Sequence, residues 1–144
     1  MKITRFEDLE CWKEARKLVK MTYDAIKLNK QISADLRFSS QFSSAAVSSM
    51  SNIAEGFSRE TDKEFLRGLW ISKASAAEVQ SLSYAAFDQG YVTEYQRKAI
   101  YEQAEKVAIL TSGMIKYLQK SAPKKRKDRR NDPTTQRPND STTQ

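Results

Sequence analysis

The sequence predicts an all-α protein, an antiparallel up-down-up-down four-helix bundle followed by a disordered basic C-terminal tail. All three prolines (Pro123, Pro133 and Pro138) lie in the tail, so no proline interrupts a helix before residue 123. Apolar residues recur at spacings of three and four along four long segments. The later segments are joined by short connections, which require consecutive helices to run antiparallel.

The first predicted helix, residues 6–27, is amphipathic. Thr4 and Glu7 have the spacing of a capping box, in which each side chain bonds the backbone N–H of the other residue. Glu14 belongs to the charged face of this helix, which we expect to face solvent. The opposite, apolar stripe consists of Phe6, Leu9, Trp12, Ala15, Val19, Tyr23 and Ile26.

The other three helices are predicted at residues 35–55, 62–89 and 94–120. Gly56 directly follows the first of these, and glycine often ends a helix because it adopts the left-handed conformation without a steric penalty. Thr61-x-x-Glu64 and Thr93-x-x-Gln96 both match the capping-box pattern. These two motifs predict where the last two helices begin.

The helix predicted at 62–89 has two apolar rows, although the core of a bundle needs only one. The first row is Phe65, Leu69, Ala76, Val79 and Ala86, and the second is Leu66, Trp70, Ala74, Ala77 and Tyr84. A helix that is apolar over most of its circumference is buried on more than one side, so we expect contact with another subunit. The predicted interface consists of Phe65, Leu66, Leu69, Trp70, Ala74 and Ala77. The alternative is a monomer with a wide core face and scattered exposed apolar residues.

The sequence offers little for catalysis. It contains no histidine and one cysteine, Cys11, which excludes an internal disulfide and is expected to be an inert buried residue in a reducing compartment. Glu55 and Glu78 are the acidic residues within the weakly charged middle helices. They form either a buried carboxylate pair or, as we favour, capping or inter-helix hydrogen bonds. We predict no enzymatic activity, no catalytic residue, no metal site and no cofactor.

The chain divides into a bundle at residues 1–120 and a tail at 121–144. The bundle has 18 Lys/Arg against 15 Asp/Glu, whereas the tail has 7 against 3. The tail has too few apolar residues to fold, and its basic run consists of Lys124, Lys125, Arg126, Lys127, Arg129 and Arg130. Such an arm binds RNA or DNA by neutralising phosphates, unless it only improves solubility. Without a recognisable signal peptide or membrane span, we expect a cytoplasmic protein.

Three segments resemble a known family. FEDLECWKEA at 6–15, QFSSAAVSSMSNIAEG at 41–56 and EFLRGLWISKASAAEVQSL at 64–82 are similar to the 23S rRNA intervening sequence proteins, once named S23 ribosomal proteins. The resemblance implies a bacterial cytoplasmic ring-shaped homopentamer without enzymatic activity that binds nucleic acid. It also implies a relation to the accessory variability determinant of diversity-generating retroelements, which partners a reverse transcriptase and its RNA.

The most specific parts of the resemblance are Ala45-Ala46-x-Ser48 and Asn52-Ile53-Ala54-Glu55-Gly56, and two interpretations are open for the family-motif residues Asn52, Glu55 and Gly56. They either contact a partner at the helix end or, as we favour, satisfy backbone groups at a tight turn or subunit contact. Where the family usually has a basic pair after Gln41, this chain has Phe42-Ser43-Ser44. We therefore expect the tail to supply the missing cations. Secondary contacts near the turn between the second and third helices are expected from Arg37, Arg59, Lys63 and Arg67.

Two functions are compatible with these features. The leading hypothesis is a non-enzymatic homo-oligomeric adaptor, with five subunits according to the resemblance, whose basic tails and surface bind nucleic acid, RNA before DNA. The alternative is a ring-shaped scaffold that docks a protein such as a reverse transcriptase, with the tail incidental.

Overall fold

The computed structural model of the protein describes residues 2–121, and all regular structure in this range is helical. A short 3-10 turn is followed by five α-helices: Phe6–Asp8, then α1 (Glu10–Leu28), α2 (Lys30–Ala34), α3 (Leu36–Ser58), α4 (Asp62–Asp88) and α5 (Glu94–Ser121). The four long helices form an antiparallel bundle. Each packs against its neighbours in the sequence, and α5 closes the bundle by packing against α1. The predicted four-helix bundle is confirmed.

The core lies along the bundle axis and receives one face of each long helix. Large side chains fill it, and burial of each contributes roughly 1.5–3 kcal/mol. The fully buried large apolar residues of the long helices are Leu18, Phe42, Ile53, Leu69, Val79 and Val107. Alanines between these residues, such as Ala15 and Ala104, are also fully buried and allow the helices to approach closely.

The start of α5 has the complete predicted capping box, whereas α4 has only the threonine half, because Glu64 Oε2 accepts from the Thr61 hydroxyl at 3.3 Å and not from the Thr61 amide. The Thr93 amide donates to Gln96 Oε1 at 2.8 Å, and the Gln96 amide donates to Thr93 Oγ1 at 3.1 Å. At α4, the Glu64 amide donates to Thr61 Oγ1 at 3.3 Å. Each cap satisfies backbone donors that the first helical turn leaves without a partner.

The capping box predicted for the first helix is wrong. The 3-10 turn intervenes, so α1 begins only at Glu10, and its N-cap residue is Leu9, whose side chain makes no capping hydrogen bond. Glu7 is ion-paired with Arg5 instead of bonding to the backbone of Thr4. A local pairing of opposite charges has replaced the expected cap.

A short helix, α2, is absent from the predicted set. Asn29 caps it, because Asn29 Oδ1 accepts hydrogen bonds from the amides of Gln31 and Ile32 at 2.8 and 3.1 Å. Asp35 then caps α3 by accepting from the Phe38 amide at 3.1 Å. The fully buried side chain of Ile32 fixes this connection against the core.

Gly56 does not end a helix, contrary to the prediction, since α3 continues to Ser58. Within residues 2–121, Gly90 is the residue with a positive backbone φ angle, +71°. The Gly90 amide donates to the Phe87 carbonyl at 2.9 Å and the Tyr91 amide to the Ala86 carbonyl at 2.8 Å. This pair of bonds is the Schellman arrangement that ends α4.

The two apolar rows of α4 have different environments. All residues of the first row are buried, whereas in the second row Trp70 is 50% exposed, Tyr84 is 49% exposed, and Ala74 and Ala77 are also exposed. Leu66 is partly buried. The prediction for two interface residues is corrected, because Phe65 (8% exposed) and Leu69 (0%) belong to the core of the subunit itself.

The outer surface of α1 also differs from the predicted one. Tyr23, assigned to the apolar stripe, is 40% exposed, while Leu18 is fully buried in its place. Among the described helices, none combines the length and the apolar character needed to cross a membrane.

Candidate nucleic-acid interface

The α3–α4 pair crosses most tightly at two glycines. A Cβ atom on Gly56 would lie 3.2 Å from the Gly68 Cα and 3.3 Å from the Glu64 carbonyl oxygen. A Cβ atom on Gly68 would overlap the carbonyl oxygen of Asn52. Backbone touches backbone here, so this crossing needs glycine on both helices.

Serine side chains connect the same two helices further along. Ser72 Oγ donates to the Ser49 carbonyl at 2.6 Å, and the hydroxyls of Ser48 and Ser75 are 2.7 Å apart. Asn52 Nδ2 donates to both the carbonyl and the hydroxyl of Ser48, each at 2.9 Å. The uncharged, serine-rich character of α3 therefore reflects close packing in which small polar side chains are satisfied by hydrogen bonds.

All three family-motif residues line one cleft of about 300 Å³ beside this crossing, and the complete lining is Asn52, Glu55, Gly56, Arg59, Glu64, Arg67, Gly68 and Ile71. Asn52 and Gly56 hold the crossing together, while Glu55 is exposed and pairs with Arg59 at 3.0 Å. Two of the predicted cations, Arg59 and Arg67, thus lie beside the motif.

Glu55 and Glu78 do not form a buried carboxylate pair. Both side chains are exposed, and Glu78 Oε1 accepts a hydrogen bond from Gln41 Nε2 at 3.4 Å, across from α3. For Glu78, the interpretation that we favoured, an inter-helix hydrogen bond, is therefore confirmed. Glu55 instead pairs with Arg59, the residue that directly follows α3.

Three of the four predicted bundle cations lie together. Arg59, Lys63 and Arg67 are exposed at the α3–α4 turn, and within residues 2–121 Lys63 and Arg67 form no ion pair. The predicted position of Arg37 is wrong. Arg37 lies at the beginning of α3, roughly 33 Å along the helix axis from Arg59, at the opposite end of the bundle. The predicted tail cations Lys124, Lys125, Arg126, Lys127, Arg129 and Arg130 lie outside the described residues.

The last described helix ends beside the same cations. A second cleft, of about 540 Å³, is bordered by Arg59 and Thr61 at the α3–α4 turn and by Tyr117 and Leu118 near the end of α5. The last described residue, Ser121, therefore lies at the end of the bundle that carries Arg59, Lys63 and Arg67.

Among the described residues, Glu14 is the one acidic residue whose side chain is buried. The sequence analysis had predicted that it faces solvent. Its side chain is 8% exposed and accepts hydrogen bonds from Gln103 Nε2 at 2.8 Å and Lys17 Nζ at 2.9 Å; Lys106 Nζ lies 3.4 Å away. These partners, Gln103 first, lower the pKa of Glu14 to about 2.

Glu14 lies three residues after Cys11 and four before Leu18 and so shares their helix face, but this spacing alone does not show which face is buried. Glu14 joins α1 to α5 and has a structural role. Burial also raises the pKa of the Cys11 thiol to about 11, which makes it a poor nucleophile. Within the described range, no group of three or more metal-binding side chains is placed to hold an ion.

Comparison with known proteins identifies the family. The model of the 23S rRNA-intervening sequence protein family matches residues 7–113. A solved structure with the same fold is that of a protein of unknown function from the S23 ribosomal protein family of Bacteroides thetaiotaomicron VPI-5482. It is 20% identical in sequence with a TM-score of 0.61, and the match covers 72% of this chain and 98% of that chain. Among curated proteins, none matches significantly. The chain belongs to the 23S rRNA-intervening sequence protein family.

Proposed function

We propose that the protein is a non-enzymatic, cytoplasmic, homo-oligomeric adaptor that binds nucleic acid, RNA in preference to DNA. The observation that carries this proposal is the position of the cations. Lys63 and Arg67 are exposed at the end of the bundle where Ser121, the last described residue of α5, lies, and the sequence places six cations within residues 124–130. Cations from two chain segments can then neutralise neighbouring phosphates of one polymer. The family name, which refers to 23S rRNA, supports RNA as the polymer.

Oligomerisation is the second part of the proposal. Ala74 and Ala77 are exposed on α4, and Val47 on the neighbouring α3 is 38% exposed. Small residues allow a helix of another copy to approach closely, and the neighbouring hydroxyls of Ser48 and Ser75 are already hydrogen-bonded to each other. A homopentamer would present five tails to one polymer. Binding by several tails gains affinity because each later contact is intramolecular.

The test is fluorescence anisotropy with a structured RNA and a matched DNA duplex over a salt series. The full chain is compared with a chain that ends at Ser121. We expect the full chain to bind with a steep salt dependence, and we expect truncation to reduce both the affinity and the salt slope. Absence of binding by either chain near physiological salt would contradict the proposal.

A second function is favoured by the exposed aromatic residues of α4. Trp70 and Tyr84 are both about half exposed on the outer row, and aromatic residues are enriched at protein interfaces. The alternative is therefore a ring-shaped scaffold for another protein, a reverse transcriptase being one candidate, in which the tail is incidental. A stoichiometric protein partner that remains bound after nuclease treatment would favour this alternative.

A further inference from the structure

Two cations and a tryptophan share the outer face of α4. Lys63, Arg67 and Trp70 follow one another at spacings of four and three, which places their side chains in one line along the helix. All three residues are exposed. Lys63 and Arg67 are separated by roughly 6 Å along the helix axis, a spacing close to that of successive phosphates in an extended strand.

Several cations of the other long helices are paired with carboxylates. Lys13, Lys20 and Arg97 each have a carboxylate partner within 3.1 Å on their own helix. On α4, by contrast, Lys63, Arg67 and Lys73 have no ion-pair partner among residues 2–121. Within the described part of the chain, these three side chains have no carboxylate to release before they contact an anionic ligand, although Asp62 and Glu64 lie in the first turn of the same helix.

The two tryptophans of the chain have opposite environments. Trp12 is 9% exposed and packs against Phe6 with ring centroids 5.1 Å apart, so it is a core residue. Trp70 is 50% exposed, and the Lys73 ammonium lies 5.2 Å from its ring centroid. An exposed indole with cations before and after it combines the two elements of single-strand binding sites, a stacking surface and a charged track.

From this arrangement we infer that Trp70 is a stacking platform for an unpaired base of a single-stranded nucleic acid whose phosphates contact Lys63 and Arg67. The inference rests on the proposed nucleic-acid binding and adds the form of the ligand. Bases of a duplex are already stacked on each other, so a duplex cannot use Trp70 in this way.

This assignment removes Trp70 from the predicted subunit interface. Burying it against another copy would also desolvate Arg67 and Lys73, and charged groups taken out of water need compensating partners. Ala74 and Ala77, one and two turns further along α4, remain available for the subunit contact.

Tryptophan fluorescence tests the inference with the full chain. Trp12→Phe leaves Trp70 as the sole tryptophan, and Trp70→Phe leaves Trp12. We expect a short oligouridylate to quench the emission of the Trp12→Phe protein, and we expect no quenching with Trp70→Phe. Duplex RNA should leave the Trp70 emission unchanged in the Trp12→Phe protein.

Anisotropy with labelled oligouridylate provides a second measurement. Trp70→Ala should weaken binding about fivefold or more, as loss of a base–aromatic stack does elsewhere. Lys63→Ala and Arg67→Ala should each reduce the salt slope by about one. Arg37→Ala, an exposed cation at the other end of the bundle, is the matched control and should bind like the unaltered chain.

Two results would overturn the inference while leaving nucleic-acid binding intact. One is oligouridylate binding without any change in Trp70 emission. The other is a Trp70 that is shielded from acrylamide before nucleic acid is added, which would return it to a subunit interface. If no nucleic acid binds at all, both the inference and the proposed function fail.

Discussion

Gly56 in α3 and Gly68 in α4 lie in backbone contact, so that a Cβ atom on Gly56 would be 3.2 Å from the Gly68 Cα. The contact occurs where the family-motif residues Asn52 and Glu55 line the cleft. Because the neighbouring atoms belong to the backbone, they cannot move aside as a flexible side chain would. The two helices must separate to admit any larger residue.

Gly68→Ala should therefore destabilise the bundle. The added methyl group would overlap the Asn52 carbonyl oxygen, and we expect a loss of about 1–3 kcal/mol in the free energy of unfolding. Urea unfolding followed by circular dichroism measures this loss.

The control is Gly113→Ala in α5. Apart from the backbone of its own helix turn, no atom of the described residues lies within 4 Å of the position where its Cβ would be, and the residue is exposed. Alanine favours the helix over glycine, so this variant should gain up to about 1 kcal/mol. Equal effects of the two substitutions would show that helix propensity, and not the crossing, determines the outcome at Gly68.

The buried Glu14 carboxylate should make stability depend on acid. Its pKa is lowered to about 2 in the folded protein from 4.5, so the ionised form stabilises the fold above the higher value. This contribution should fall as the pH decreases from about 4.5 toward 2, since the unfolded chain then takes up a proton that the folded chain does not.

Glu14→Gln removes the charge and keeps the shape of the side chain. At neutral pH we expect a loss of about 1.5–3 kcal/mol, the range for hydrogen bonds to charged groups. The difference from the unaltered chain should shrink below pH 4.5. Glu102→Gln is the control, because Glu102 is exposed and its nitrogen–oxygen distance to Lys98 is 3.9 Å. A difference for Glu14→Gln that stays constant with pH would contradict the assignment.

The capping boxes predict a contrast between two threonines. Thr93→Ala should cost about 1 kcal/mol of stability, because the Gln96 amide loses its acceptor at the start of α5. Thr4→Ala should change stability by less than about 0.5 kcal/mol, since Thr4 is exposed and caps no described helix. Thermal unfolding of both variants, side by side, measures the contrast.

The subunit contact predicts an effect on assembly without an effect on folding. Ala77→Arg places a charge on the exposed row of α4 and should shift the oligomer toward monomer in native mass spectrometry. Its circular dichroism spectrum should be unchanged. Ala34→Arg, on an exposed alanine at the end of α2, should leave the assembly intact. Assembly that is identical in both variants would place the subunit contact elsewhere.

Much of the fold could be predicted from local signals. The caps at Thr61 and Thr93 form between residues three apart, so the sequence contains all the information they need. The two apolar rows of α4 were also visible, because side chains at spacings of three and four share a face. The wrong capping box at Thr4 shows the limit of this approach, since Arg5 competed for Glu7.

The candidate site was predictable only in part. The sequence correctly placed Arg59, Lys63 and Arg67 at one turn. The position of Arg37 could not be predicted in the same way, because it depends on where α3 begins. The α3–α4 crossing was not visible, because glycine after a helix is more often a cap than a contact. Gly56 could be assigned to packing only once Gly68 was found opposite it.

The sequence by itself determined the helical class, the starts of α3, α4 and α5, the second apolar row of α4 and the basic run after residue 123. Each depends on residues close together in the chain. Tertiary structure alone decided that Glu14 is buried, that Phe65 and Leu69 face inward, and that Gly56 meets Gly68. The physical reason is that burial depends on which faces meet, and the Glu14 carboxylate is stabilised by Gln103, which lies 89 positions further along the chain.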